Sequence, residues 1–188
     1  ERMSVARILG VDPGTRKAGW AVLDVFKGGQ LSLVASGTWR LGDSRVAVGQ
    51  RLYKLQVEMA AVMGEFQPTQ VALESAFFGQ NAKTALRIGE ARGLVLAAAA
   101  GRDLPLQELP PALVKRRVAG AGAASKEQIA AYVRVHLQLP SDHAFDSEDA
   151  SDACAVALCM AFSLDANGIS PAQNAKKGCK LPPGARFQ

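Results

Sequence analysis

Four carboxylates are set apart by their positions in the chain. Asp12 ends the apolar run Ile8–Val11 and enters a tight Asp-Pro-Gly-Thr turn, and Glu74 ends a second run, Val71–Leu73. Asp149 and Asp152 lie three residues apart at the head of an apolar helical stretch, so both project from one helix face. A lone aspartate before Pro-Gly is commonly a turn cap, and a lone acid in a first helical turn answers the helix dipole. Four acids brought to one sheet edge would repel one another unless cations neutralised them, and hard divalent ions with oxygen ligands suit such a set. Two ions sharing these carboxylates could activate a water and stabilise the leaving oxygen of a phosphodiester, which is nuclease chemistry.

The elements must then carry these acids to one place. Ile8–Asp12 and Ala18–Val25 read as two strands joined at the acid, with Pro13 fixing φ, Gly14 tolerating positive φ, and Gly19 letting the returning strand lie close to the first. Lys27-Gly28-Gly29-Gln30 turns into a third strand, Leu31–Trp39, completing an antiparallel meander. Asp43 or Ser44 is expected to cap a helix to about Phe66, apolar at Val48, Leu52, Leu55, Met59 and Val62, with Pro68 ending it. The strand at 71–73 follows that crossover helix, so it should run parallel to the first and deliver Glu74 to the same edge as Asp12.

Further on, Gln80 or Asn81 opens a helix to about Ala100, rich in small residues that allow close packing against the sheet or a second subunit. Leu104–Leu109 reads as a fifth strand and Pro110-Pro111 as the start of a short helix to about Val118. Ser125 with Gln128 forms a capping-box pattern for a helix ending near Leu139-Pro140, and Glu148–Leu164 is the last helix. Beyond Asp165 periodicity disappears. The expected organisation is one α/β domain over residues 1–165 and a basic, loosely ordered tail over residues 166–188.

Charge is distributed unevenly along the chain. From Gly79 to Arg134 nine lysines and arginines face four acids, whereas Asp142 to Asp152 holds five acids and no lysine or arginine. A basic middle beside an acidic cluster suits a polyanion brought to a cation-binding site. The three cysteines, Cys154, Cys159 and Cys179, have neither the number nor the spacing of a disulfide scaffold or a zinc site. His136 falls within a helix and is expected to be structural. No apolar run long enough to span a membrane occurs, and the first residues lack a signal-peptide core, so a cytoplasmic protein is expected.

Several separated motifs together resemble the RuvC family of bacterial Holliday junction resolvases, the crossover junction endodeoxyribonucleases. They are ILGVDPGTRKAGWA from Ile8 to Ala21, Glu74-Ser-Ala-Phe77 with Asn81 and Gly89-Glu-Ala-Arg-Gly93, and Val114-Lys115 with Gly120-x-Gly122 and Ser125-Lys126. Asp149-Ala-Ser-Asp152-Ala153 completes the series, and the likeness covers roughly Val5 to Leu164. The resemblance implies an α/β, ribonuclease H-like fold: a five-stranded mixed sheet with helices on both faces. It also implies a homodimer that nicks four-way DNA junctions in symmetrical pairs with Mg²⁺ or Mn²⁺, two ions per site, in association with the RuvA-RuvB branch-migration complex and with no membrane partner.

By position, the resemblance makes Asp12, Glu74, Asp149 and Asp152 the catalytic, metal-binding acids. The third acidic position is Asp in some members and His in others; here it is Asp149, and His143 lies outside the motif. Lys115 and Lys126 match two basic residues near the scissile strand, and Phe77 matches an aromatic that stacks on an unpaired base. Residue chemistry agrees: Lys115 and Lys126 flank a glycine segment where ammonium groups could meet phosphate, and Phe77 and Phe78 are adjacent aromatics on a loop. Arg16, Arg87, Arg116 and Arg117 are further candidates for backbone contacts.

Three other readings compete. The Asp-x-Gly-Thr turn also resembles the phosphate hairpin of actin-like and sugar-kinase ATPases, which require a second such hairpin and a second domain. A monomeric nuclease for hybrids or linear DNA would keep the fold and lose the twofold axis that paired incision needs. A purely DNA-binding module gains nothing from four acids facing phosphate.

Overall fold

The computed structural model describes residues 3–75 and 82–164. Phe77, Phe78, Gln80, Asn81, Cys179 and the expected tail lie outside the described residues. Five strands, β1 (Ser4–Asp12), β2 (Lys17–Phe26), β3 (Leu31–Arg40), β4 (Gln70–Glu74) and β5 (Leu106–Leu109), form one sheet in the order β3-β2-β1-β4-β5. The pairs β1–β2 and β2–β3 are antiparallel, while β1–β4 and β4–β5 are parallel, as the crossover through α1 (Val48–Phe66) requires.

Side-chain alternation along the strands sorts two cores. Ile8, Ala21, Leu23 and Ala72 face α3 (Pro111–Ala119), α4 (Lys126–His136) and α5 (Glu148–Ala161). Leu9, Val11, Val22, Val71 and Leu73 face α1 and α2 (Ala82–Ala100) on the other side. α5 is buried nearly all round from Ala153 to Met160, which is why its sequence is almost wholly apolar after Asp152. Cys154 and Cys159 are buried within it as free thiols, and burial pushes the Cys154 thiol up to about 12. They behave as small apolar side chains.

Helix ends follow local chemistry with two departures from expectation. Ser125 and Gln128 make the reciprocal capping box that opens α4. α1, in contrast, begins after Ala47 with no side-chain cap. Asp43 is spent elsewhere, accepting the Arg45 backbone N–H at 2.8 Å and its guanidinium at 3.0 Å, so residues 43–45 close a turn before the helix starts. α4 stops at His136, short of Leu139-Pro140, where the ring Nε2 lies 2.9 Å from the Val118 carbonyl and the ring packs on Phe162. His136 is structural.

The head of α5 is anchored to the sheet. Ser147 caps it, accepting the Ala150 N–H at 3.2 Å, and its hydroxyl lies 2.5 Å from that of Thr38 on β3. Ser147→Ala removes both bonds and is expected to cost about 1 kcal/mol of stability, read as a lowered midpoint in urea with unchanged slope.

Candidate active site

The strand period places the first two acids. On β1, Ile8 and Gly10 face α5, so Asp12, two residues on, emerges on that same face. On β4, Ala72 faces α5 and Glu74 follows in the same phase. The parallel register sets Val11 beside Leu73, and the next step brings Asp12 beside Glu74. The two carboxyls are hydrogen-bonded to each other.

Two glycines let the helix that carries the other acids lie directly on the strands. A Cβ at Gly10 would overlap the Ala153 carbonyl and sit 2.7 Å from the Ala157 Cβ. A Cβ at Gly19 would overlap the Asp149 carbonyl. Gly19 therefore makes room for α5 and not, as the turn alone suggested, for the return of β2 against β1. At Gly14 the lack of a side chain matters because a Cβ would strike the Lys17 carbonyl across the turn.

Asp12, Glu74, Asp152, Lys115 and Lys126 open onto one cleft of about 230 Å³, backed by Pro111, Val114 and Ile129. Lys126 Nζ lies 3.2 Å from Asp152 and 3.4 Å from Glu148. Asp149 does not line that cleft; its carboxylate is 2.6 Å from Lys17 Nζ. Its charge still reaches Asp12, so the four acids share one electrostatic environment even though their side chains divide between two lysines.

Of the basic candidates, Lys115 and Lys126 reach the cleft. Arg87 pairs with Glu90 at 2.8 Å and lines a separate groove with Gly14, Thr15 and Arg51. Arg16 and Arg116 present exposed side chains. Arg117, also exposed, donates from its guanidinium to the Cys159 carbonyl at 3.1 Å and so ties α3 to α5, because the last turn of α3 lies against that helix. Lys17 was missed by sequence reasoning. Nothing local marks it, since its partner is on the final helix.

Burial in a field of like charge raises the proton affinity of the site. Burial pushes Asp12 up to about 6, helped by the charges of Asp152 and Asp149. Glu74 rises to about 8 through burial and then the Asp12 charge, and burial also raises Asp152 against the opposing pull of Lys126. In metal-free protein these protons are held by the folded chain and released by the unfolded chain near pH 4. Their contribution to stability is therefore lost as pH rises from about 4 through about 8. Thermal melting is expected to show a parent midpoint that falls over this range more steeply than that of Glu74→Gln, with added Mn²⁺ stabilising the parent more at pH 8 than at pH 5.5. Parallel slopes for the two proteins would contradict the assignment.

Comparison with known proteins agrees with this fold. The family model described as crossover junction endodeoxyribonuclease RuvC matches residues 8–160. The chain belongs to the RuvC family. RuvC of Bartonella quintana is 41% identical over 153 residues, which are 81% of this chain and 88% of that protein. RuvC of Halorhodospira halophila is 41% identical over 162 residues, 86% of this chain and 93% of that one. In structure, Thermus thermophilus RuvC superposes with a TM-score of 0.74 at 31% identity over 83% of this chain and 93% of that chain. The same protein in complex with Holliday junction substrate gives a TM-score of 0.76 at 30% identity, covering 84% of this chain and 93% of that chain. The fold is the ribonuclease H-like arrangement of that family.

Membership in the RuvC family implies a nuclease that depends on divalent metal. The donor set fits that requirement: carboxylate oxygens alone, with burial first and neighbouring charge second raising the proton affinity of Asp12 and Glu74, and lysine ammonium groups beside Asp149 and Asp152. Among the described residues no three Asp, Glu, His or Cys side chains are gathered as a ready metal-ligand group. The ammonium groups of Lys17 and Lys126 balance the charges of Asp149 and Asp152.

Proposed function

We propose that this chain is a structure-selective endodeoxyribonuclease that resolves Holliday junctions by paired symmetrical nicks, in DNA recombination and repair. The carrying observation is the cleft where Asp12, Glu74 and Asp152 meet Lys115 and Lys126, with Asp149 adjoining on the same helix. Asp12, Glu74, Asp149 and Asp152 would hold two Mg²⁺ or Mn²⁺ ions, which when bound supply an activated water and charge stabilisation at phosphorus. Lys115 and Lys126 would meet the phosphates of the cleaved strand, with Arg16, Arg87 and Arg116 as outer backbone contacts. Phe77 would stack on an unpaired base.

Paired nicks on opposing strands require two such sites related by a twofold axis, so the working form is a homodimer. Four-way junction DNA is the proposed substrate, the RuvA-RuvB complex the proposed partner and the cytoplasm the proposed location. No helix among the described residues is long and apolar enough to cross a membrane.

The test is strand-mapped cleavage of a mobile four-way junction with Mg²⁺ or Mn²⁺ beside linear duplex and RNA/DNA hybrid. Symmetry-related nicks confined to the junction are the expected result. Cleavage of the controls alone would reassign the chain to a general nuclease.

A further inference from the structure

Lys17 begins β2 and sits opposite Arg40 of β3, at the end of the turn that leaves Asp12. Its backbone is pinned there, because its carbonyl packs where Gly14 has no Cβ. From this root the side chain reaches the first turn of α5, where Nζ lies 2.6 Å from Asp149 Oδ2; the lysine side chain is 54% exposed and the aspartate 20%. Two residues along the same strand, Gly19 receives the Asp149 carbonyl. One strand thus supplies both the space for Asp149 and the charge against it. Lys126 does the same for Asp152 but also opens onto the cleft with Asp12 and Glu74, which Lys17 does not.

We propose that Lys17 is the resident counter-charge of Asp149: an ammonium that competes with a divalent cation for this carboxylate and is released to solvent when the cation binds. The proposal rests on Asp149 being a metal ligand. Lysine suits the role because a single ammonium on a flexible stem, half exposed, can leave without unfolding anything, whereas a buried or bidentate pair could not. Competition has a definite sign. A residue that merely positioned Asp149 would favour metal binding, and its loss would weaken affinity; a competing cation does the opposite.

The experiment is titration of DNA-free protein with Mn²⁺ at low ionic strength, followed by calorimetry and by the loss of the free-ion spin-resonance signal. Parent, Lys17→Met, Lys17→Arg and Asp149→Asn are compared, each with an unchanged far-ultraviolet spectrum. Lys17→Met is expected to bind Mn²⁺ about two- to fivefold more tightly than the parent, with the gain shrinking as salt is raised. Lys17→Arg stays near the parent, and Asp149→Asn binds more weakly. Unchanged or weaker binding by Lys17→Met, with Asp149→Asn still weakened, overturns the counter-charge role alone. Equal affinity of Asp149→Asn and parent overturns the ligand reading of Asp149 and the proposal with it.

Discussion

Asp12→Asn is expected to abolish junction cleavage while leaving junction affinity unchanged or raised. Asp12 is the acid on which the site converges: it shares a hydrogen bond with Glu74, opens onto the cleft with Asp152, and feels the charge of both α5 aspartates. The carboxamide keeps the shape and can still hydrogen-bond with Glu74, so the fold is preserved. It has lost the negative charge that a divalent ion requires. Metal-ion stabilisation of a phosphoryl transition state contributes several kcal/mol, so the rate should fall by about a thousandfold or more. Affinity moves the other way because one negative charge facing phosphate is gone. Strand-mapped cleavage and gel-shift titration without divalent metal check the two arms. Cleavage within tenfold of the parent would remove Asp12 from the reacting centre, and joint loss of cleavage and binding in a folded variant would count equally against the assignment.

Gly19→Ala is expected to damage the site through packing, without touching a carboxylate. The added Cβ would overlap the Asp149 backbone carbonyl, and a backbone atom in a capped, fully packed helix cannot swing aside as a side-chain tip would. α5 must therefore lift at its head, carrying Asp149 and Asp152 away from Asp12 and Glu74. Overpacking of this kind costs about 1 to 3 kcal/mol. Since acids and cleft must register to well under an ångström, cleavage should fall by about a hundredfold even where the variant remains folded. The contrasting variant is Gly64→Ala on α1, where a Cβ meets nothing within 4 Å. That change should stabilise by about 0.5 to 1 kcal/mol and leave cleavage alone. Urea midpoints and single-turnover cleavage of both proteins decide the matter. Normal cleavage by Gly19→Ala would mean that α5 has freedom that its packing does not show.

The two variants separate what the chain carries locally from what the fold contributes. The acids themselves were legible in the sequence, because a carboxylate that ends an apolar strand is out of place unless it caps or binds. Two such strand ends and a helix start formed a pattern that local capping does not explain. Strand order was legible for a similar reason: a meander followed by a crossover helix leaves little choice of neighbours, and the parallel pairing of β1 with β4 follows from handedness and chain connectivity. The capping box at Ser125 needs only residues three apart, and it formed as read.

The failures share a different physical origin. The cap of α1 went astray because Asp43 had a nearer partner in Arg45, and competition between two local hydrogen bonds is decided by backbone path rather than residue type. Gly19 was read as a turn residue because the sequence shows its neighbours along the chain and not the helix that arrives on it from its far end. The bond from Arg117 to the Cys159 carbonyl joins residues too far apart in the chain to leave a local sign. Lys17 had no partner within reach of any local pattern.

By itself, then, the sequence marked four acids at two strand ends and a helix start, together with the order of the elements, since each depends on period, propensity or spacing over a few residues; Lys115 and Lys126 were singled out by the family resemblance. Only the tertiary structure decided which acids share the cleft, that Asp12 and Glu74 are buried against each other, and that Asp149 is matched by Lys17. Those outcomes depend on burial and on distances between segments far apart in the chain, and electrostatic energy is set by separation and solvent exposure in space rather than by position in sequence.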